Sequence, residues 1–223
     1  MKSKIRVFIL TDSLGCPRKE INVNDTWVDK LLYARSGKNE VFYTYCKPGL
    51  QVNSLDIPYL SEYEPDIMIC QFGIVDACRR ALTNRELSLI RRFPFLRDWV
   101  NSFCKKHHYM MTKKREVHYT SLELFRDKIE DLIDSMPNTK IFFLEIAPPG
   151  PFLIDSVFSV EDDVRKYNDV LKYNSKGNAY FVELYNNSTK YLLDDGHHLN
   201  IFGNDIVYRK SVQIIEEWLH NEV

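Results

Sequence analysis

Three residue types that acyl chemistry requires stand near the two ends of the sequence. Ser13 lies in Thr11-Asp12-Ser13-Leu14-Gly15, and a second cluster reads Asp194-Asp195-Gly196-His197-His198-Leu199-Asn200. A serine hydroxyl becomes a useful nucleophile when an adjacent imidazole takes its proton. The imidazole in turn needs an acceptor on its other nitrogen, which fixes the tautomer and stabilises the imidazolium. An Asp-x-x-His spacing of one turn puts carboxylate and ring in one patch. Two pairs have that spacing, Asp195 with His198 and Asp194 with His197. A helical turn is predicted just after Ser13, which would aim backbone N–H groups at a developing oxyanion. Taken alone, Ser13 also suits a plain turn or capping role, and His198 a surface loop.

These residues need elements that bring residue 13 and residue 198 together. Five short runs read as strands, over residues 4–10, 41–45, 66–72, 140–146 and 179–184. Ile67-Met68-Ile69-Cys70 and Ile141-Phe142-Phe143-Leu144 do not alternate with polar residues, as expected of parallel strands covered on both faces. Helical patterns lie between and after them. Trp27, Leu31 and Ala34 follow a predicted Asn24 cap. The stripe Leu122, Phe125, Ile129, Leu132, Ile133 and Met136 follows Thr120 and Glu123, which have capping-box spacing. Ser159 with Asp162 opens a helix carrying Val164, Tyr167 and Leu171, and Val207, Ile214, Ile215, Trp218 and Leu219 mark a final helix. Strands alternating with helices predict a doubly wound α/β layer sandwich with right-handed crossovers. Its ligand crevice lies at the carboxyl ends of the strands, so the turns after each strand matter most. The turn Pro148-Pro149-Gly150-Pro151 is expected to be rigid and to border that crevice.

Asp-Ser-Leu directly after the first strand, and Asp-Gly-x-His just before the last helix, resemble the GDSL or SGNH hydrolase family. The resemblance runs in order from residue 11 to residue 200. It implies a three-layer α/β/α sandwich with a five-stranded parallel sheet, the flavodoxin-like SGNH hydrolase fold. It also implies Ser13 as nucleophile, His198 as general base and Asp195 as the group that orients it, because Asp195-Gly196-His197-His198-Leu199-Asn200 is the form that matches the family. The oxyanion hole would use the N–H groups of Ser13 and Gly49, the latter in Lys47-Pro48-Gly49-Leu50. Asp12, Gly73, Val75, Asp76, Arg79 and Arg80 are the expected substrate-binding residues. Two departures stand out. Thr11 replaces the usual glycine of the first block, and Gly73-Ile74-Val75-Asp76 has valine where the family's third block has an oxyanion-donating asparagine. Valine has no donor to offer, so Arg79 or Arg80 is expected to reach toward the same pocket. Gly73-Ile74-Val75-Asp76-Ala77-Cys78-Arg79-Arg80 also resembles a variant block of SGNH-like proteins linked to bacterial surface-polysaccharide synthesis.

The expected activity is that of a serine esterase removing a small acyl group, acetyl above all, from a carbohydrate or related hydroxyl. The alternatives are an acyltransferase with the same triad and a non-catalytic SGNH-like carbohydrate-binding module. No cofactor and no metal are expected. Glycine-rich phosphate loops are absent, and His107, His108 and His118 lack a carboxylate or Cys at ligand spacing. Cys16, three residues past Ser13, has no base paired to it in sequence and reads as a buried or rim thiol.

Composition narrows the remaining choices. The chain of 223 residues is expected to form one domain spanning 1–223. Lys and Arg total 30 against 31 Asp and Glu, a net charge of -1 that argues against a nucleic-acid partner. No apolar run is long enough for a transmembrane segment. Met1-Lys2-Ser3-Lys4 and the following apolar stretch, which contains Arg6, are too short and too charged for a signal peptide. The five cysteines, 16, 46, 70, 78 and 104, show no CxxC, so a reducing, cytoplasmic location is expected. A homo-oligomer is left open. One stretch exceeds what a crossover needs. Between strands three and four, residues 79–128 carry 13 Lys/Arg against 5 Asp/Glu, interleaved with Phe93, Phe95, Trp99, Phe103 and Tyr109. A helical, basic insertion at about 79–121 is expected there, either capping one rim of the pocket or simply solvated.

Overall fold

A computed structural model describes residues 4–221. Met1–Ser3, part of the segment weighed above as a leader, and the outer limits of the expected 1–223 domain lie outside the described residues. The strands are β1 (Ile5–Thr11), β2 (Glu40–Cys46), β3 (Ile67–Gln71), β4 (Lys140–Leu144) and β5 (Ala179–Val182). They form one five-stranded sheet in the order β2-β1-β3-β4-β5, with every neighbouring pair parallel. Thr11 pairs with Cys46 on one side and Gln71 on the other, so β1, β2 and β3 end at the same level. The strand order reverses at β1, which opens a crevice at its carboxyl end.

The helices are α1 (Trp27–Arg35), α2 (Ile57–Ser61), α3 (Ile74–Ala77), α4 (Asn84–Arg91), α5 (Pro94–Lys106), α6 (His108–Arg115), α7 (Leu122–Asp134), α8 (Pro151–Ser156), α9 (Val160–Asn174) and α10 (Ile201–Asn221). Side chains alternate across the sheet. Val7, Ile9, Ile67 and Ile69 pack against Trp27, Leu31, Val207, Ile214 and Ile215 of α1 and α10. Phe8, Leu10, Met68 and Cys70 face the opposite layer, with Leu60, Phe125, Ile129, Leu132, Val164 and Leu171 of α2, α7 and α9. Burial on both faces is why these strands lack an alternating polar pattern, and the result is the expected three-layer α/β/α sandwich.

Several boundaries differ from the sequence-based expectation for local reasons. β4 stops at Leu144 because Asn168 takes over Ile146, accepting its N–H at 2.9 Å and donating to its carbonyl at 2.9 Å. β5 stops at Val182 because the Glu145 carboxylate accepts from the Leu184 and Tyr185 N–H groups at 2.7 and 2.9 Å. Thr26, not Asn24, caps α1: its hydroxyl accepts from the Asp29 N–H and donates to the Val23 carbonyl. Ser121, not Thr120, caps α7, and Thr120 instead donates to Asp76 in the core. Ser159 precedes α9 in a left-handed conformation without a side-chain cap.

The basic stretch folds as α4, α5 and α6. Thr83 and Glu86 form a capping box on α4, and Arg115 clamps Glu86 through two 2.8 Å contacts while donating to the Ala81 carbonyl. Arg91, Arg92 and Arg97 face solvent as expected. The large apolar residues of the segment are not covered: Phe93, Phe95, Leu96, Trp99 and Phe103 are all exposed, and Cys104 is the buried residue that α5 contributes among its described side chains.

The cap assignment is directly testable. Thr26→Ala is expected to lose about 1 kcal/mol of stability, the usual worth of an N-cap, whereas Asn24→Ala, at an exposed position, should leave the urea midpoint unchanged.

Candidate active site

The register of β1, β2 and β3 delivers three turns to one place. Asp12 N–H donates to the Gln71 carbonyl at 3.1 Å, and Lys47 N–H to the Thr11 carbonyl at 3.0 Å, so the chain leaves β1 and β2 tied to its neighbours. A 3-10 turn over Ser13–Gly15 follows at once. Its cap is Asp12, whose carboxylate accepts from the Leu14 N–H at 2.9 Å. Ser13 is thereby lifted onto the rim of the sheet.

The partner segment comes from the far end of the chain. The Leu193 N–H donates to the His198 carbonyl at 2.7 Å, and the Gly150 N–H to the Gly196 carbonyl at 2.7 Å. Gly196 sits at φ +75, and a Cβ on Gly150 would stand 2.7 Å from the Gly196 Cα, so the loop lies hard against the turn after β4. This fixes His198 with its Nε2 3.0 Å from the Ser13 Oγ and its Nδ1 2.7 Å from Asp195 Oδ2. Asp195 Oδ1 also accepts from the backbone N–H groups of His197 and His198, at 3.1 and 3.0 Å. The alternative pair does not form: Asp194 is exposed, and the His197 Nδ1 lies 3.1 Å from the Asp195 carbonyl while its ring lies against His198, tilted by 40° with 3.9 Å between centroids.

The electrostatics follow from burial and these contacts. Burial, then the neighbouring His197, bring His198 down to about 4 against a weaker opposing pull from Asp195, so its ring is neutral at neutral pH. Burial works against an ionised Asp195, yet the hydrogen bonds from the His198 ring and from the His198 and His197 backbone outweigh it and hold the carboxyl at about 2. Arg18 was not singled out from the sequence. It donates to the Ser13 carbonyl at 3.1 Å and stands 4.0 Å from Asp195 Oδ2, linking the two ends of the site. Burial, then Asp12, push the Cys16 thiol up, consistent with a non-reactive thiol beside Ser13.

Ser13 and His198 open onto a cleft of about 940 Å³, also lined by Gly49, Val75, Arg79 and Arg80. Gly49 is at φ +70, a conformation that favours glycine. The Ser13 and Gly49 N–H groups have no acceptor of their own among the described residues. Three expected substrate-binding residues lie beneath the cleft instead. Asp12 and Asp76 are fully buried, and burial pushes their carboxyls up to about 7 and about 6. Gly73 is also buried, under Ile146. Asp76 accepts from the Val52 N–H at 3.1 Å and from Thr120, which braces the segment following Gly49. Arg79 and Arg80 both line the cleft, as expected of at least one of them, but each is already engaged by protein groups. Arg79 pairs with Asp163 at 2.7 Å and Glu116 at 3.1 Å, and Arg80 donates to the Val75 carbonyl at 3.0 Å while lying over the Tyr119 ring. Lys105, His108, Tyr119 and Phe152 also line the cleft.

Asp195, His197 and His198 present ligand atoms within 4.8 Å of one another, a set able to take a metal ion. Such an ion would compete for the Asp195 Oδ2 and His198 Nδ1 atoms that already bond each other. His107, His108 and His118 do not cluster. His107 packs on Phe103, His108 bonds the Ser156 carbonyl, and His118 faces Asp163.

No protein-family model matches the chain, and no curated protein matches it in sequence. Solved structures match it along nearly its whole length. A lipase/acylhydrolase from Enterococcus faecalis superposes with a TM-score of 0.62 at 14% identity, covering 96% of each chain. A carbohydrate acetylesterase family member from Sinorhizobium meliloti gives 0.61 at 14%, covering 97% of this chain and 99% of that one. A GDSL-like lipase from Bacteroides ovatus gives 0.57 at 13%, covering 97% of this chain and 54% of that one. No helix among the described residues is long and apolar enough to cross a membrane. In strand order, layering and the superposition of almost its full length, the chain has the fold of the SGNH/GDSL hydrolases.

Proposed function

We propose that the protein is a serine esterase that removes a small acyl group, acetyl in the first instance, from a carbohydrate hydroxyl. The observation that carries this reading is the continuous chain Ser13 Oγ, His198 Nε2, His198 Nδ1, Asp195 Oδ2, with links of 3.0 and 2.7 Å at the mouth of a cleft. The carbohydrate acetylesterase among the structural neighbours supports the substrate class, as does the polysaccharide-linked form of the segment from Gly73 to Arg80.

In this mechanism Ser13 Oγ attacks the ester carbonyl carbon as its proton passes to His198 Nε2. The carbonyl oxygen becomes an oxyanion facing the Ser13 and Gly49 N–H groups. Collapse breaks the bond to the alcohol oxygen, which leaves with the proton from His198. Water then gives a proton to His198 and attacks the acyl-Ser13 carbonyl; collapse breaks the bond to Ser13 Oγ, which takes the proton back from His198 as the carboxylic acid is released. Asp195 stays ionised throughout and stabilises the imidazolium. A sugar hydroxyl in place of water would make the same cycle an acyl transfer. Arg18 acts as a positioning residue, holding the Ser13 turn and the Asp195 carboxylate in one register. In keeping with its free thiols, the protein is placed by this proposal in the cytoplasm.

A second reading rests on Val75. Its side chain lines the cleft where a hydrogen-bond donor would help the oxyanion. A non-catalytic carbohydrate-binding module would tolerate this; an esterase would be slowed.

Three experiments decide among these readings. A fluorophosphonate probe should add one adduct, seen by intact mass and mapped to Ser13, and none to Ser13→Ala; no adduct on the folded wild-type protein would favour the binding module. Val75→Asn should raise kcat on an aryl acetate by about tenfold to a hundredfold, part of what one oxyanion donor is worth, with little change in KM. The pH profile of kcat/KM should fall on the acid side as His198 takes up a proton near its lowered value of about 4. His197→Gln removes a neighbour that disfavours the imidazolium, so that acid limb should move to higher pH; an unmoved limb would take His197 out of the electrostatics.

A further inference from the structure

The basic segment presents a surface that the esterase chemistry leaves unexplained. In α5, Phe95, Trp99 and Phe103 recur at i, i+4 and i+8 and so share one helix face. Phe95 and Trp99 are 76% and 67% exposed, and Trp99 stacks on Phe103 at 5.8 Å between ring centroids. Phe93, at the N-cap of α5, lies edge-on to Phe95 at 6.1 Å between ring centroids, and Phe93, Leu89 of α4 and Tyr109 and Met110 of α6 are exposed as well. A helix of 13 residues that buries so little is marginal by itself in water, and a contiguous exposed aromatic face marks a surface that something covers.

Charge identifies the occupant. Residues 84–115 hold nine Lys/Arg and two Asp/Glu. The two acids pair with Arg115 and Arg97, which leaves seven cations without an acidic partner among the described residues. A second copy of this chain docking through the same face would set seven unpaired cations against seven. Aromatic rings on one face rimmed by Arg and Lys match instead the two requirements of an interfacial helix, buried apolar area and attraction to anionic lipid.

We propose that α4, α5 and α6 dock the protein on the surface of an anionic phospholipid bilayer, with Phe95, Trp99 and Phe103 entering the headgroup region and Arg91, Arg92 and Lys106 meeting lipid phosphates. The same segment supplies Lys105 and His108 to the cleft, which Phe152, 61% exposed, also lines. Docking would therefore bring the cleft close to the lipid surface. The docking itself does not depend on the esterase reading; its consequence, access to acyl esters carried at a bilayer surface, rests on that reading.

Vesicle co-sedimentation tests the proposal, using phosphatidylcholine alone and phosphatidylcholine mixed in equal parts with phosphatidylglycerol. The full chain should bind the mixed vesicles and not the neutral ones, with a blue shift of tryptophan emission. Of the three tryptophans, Trp27 is fully buried and Trp218 is half-buried in α10 against the core of the other layer, so Trp99 is the exposed reporter, and Trp99→Phe should keep binding while losing most of that shift. The triple variant Phe95→Ser, Trp99→Ser, Phe103→Ser should partition at least about a hundredfold less, and Arg91→Gln with Arg92→Gln about tenfold less. All these variants should hydrolyse a soluble aryl acetate like the wild type. Equal binding to neutral and anionic vesicles, no binding to either, or self-association abolished by the triple variant would overturn the proposal. Binding to an anionic polymer such as heparin as strong as to vesicles, without an emission shift on vesicles, would show simple charge attraction and overturn it too. Vesicle binding and aryl acetate hydrolysis by the wild-type protein, measured side by side, separate the two proposals: failure of docking with intact hydrolysis sinks this inference alone, and docking without hydrolysis sinks the esterase reading alone, while Ser13→Ala should dock like the wild type.

Discussion

Everything at the cleft depends on how closely the loop carrying Asp195 and His198 is held against the turn after β4. The contact is backbone on backbone, a 2.7 Å hydrogen bond from the Gly150 N–H to the Gly196 carbonyl, with no room for a Cβ on Gly150. A Cβ at Gly150 would stand 2.7 Å from the Gly196 Cα and one at Gly196 3.0 Å from backbone of the turn, so either would force the loop to shift. The His198 ring would move with it, and the 3.0 Å contact to Ser13 has little slack. The proline-rich turn stiffens one side of this latch, and the Leu193 N–H bonded to the His198 carbonyl stiffens the other. Rigidity here is therefore a property of main chain and small residues, and not of the triad side chains.

The site also sorts its carboxylates by environment. Asp12, Asp76 and Asp195 all lose water, but only Asp195 receives a ring N–H and two backbone N–H groups on its two oxygens. Asp12 and Asp76 are pushed toward the protonated form by burial, which suits acids used as struts: one caps the Ser13 turn and the other braces the segment after Gly49. A full negative charge is concentrated where an imidazolium would form. Arg79 shows the same division of labour among cations. Its guanidinium is committed to Asp163 and Glu116, so it shapes the cleft wall from behind.

Much of this was legible in the sequence because the relevant signals are local. Uninterrupted apolar runs such as Ile67 to Cys70 identify strands buried on both faces, and the strand ends then point to Ser13 and to the segment around His198. What escaped was set by distant partners. Asp163 lies 84 residues from Arg79, and nothing near Arg79 hints that its charge is already taken. Thr26 and Asn24 are equally good caps by type; tertiary packing, which buries Thr26 and leaves Asn24 outside, chooses between them. Arg18 carries no motif, only proximity to Ser13. The exposure of Phe95, Trp99 and Phe103 was invisible for a related reason: periodicity reports that a helix has an apolar face, not whether the protein covers it.

Ser13 and His198, the proposed nucleophile and base, are 185 residues apart, with Ser13 just past the end of a central strand and His198 just before the last helix. During vectorial synthesis the serine emerges early, long before Asp195 and His198, which it meets in the folded chain. The Ser13–His198 contact, on which the proposed chemistry rests, can form only after the loop that follows β5 has closed on Gly150. The topology thus works as a built-in order of assembly, in which the scaffold must be nearly finished before the chemistry can begin.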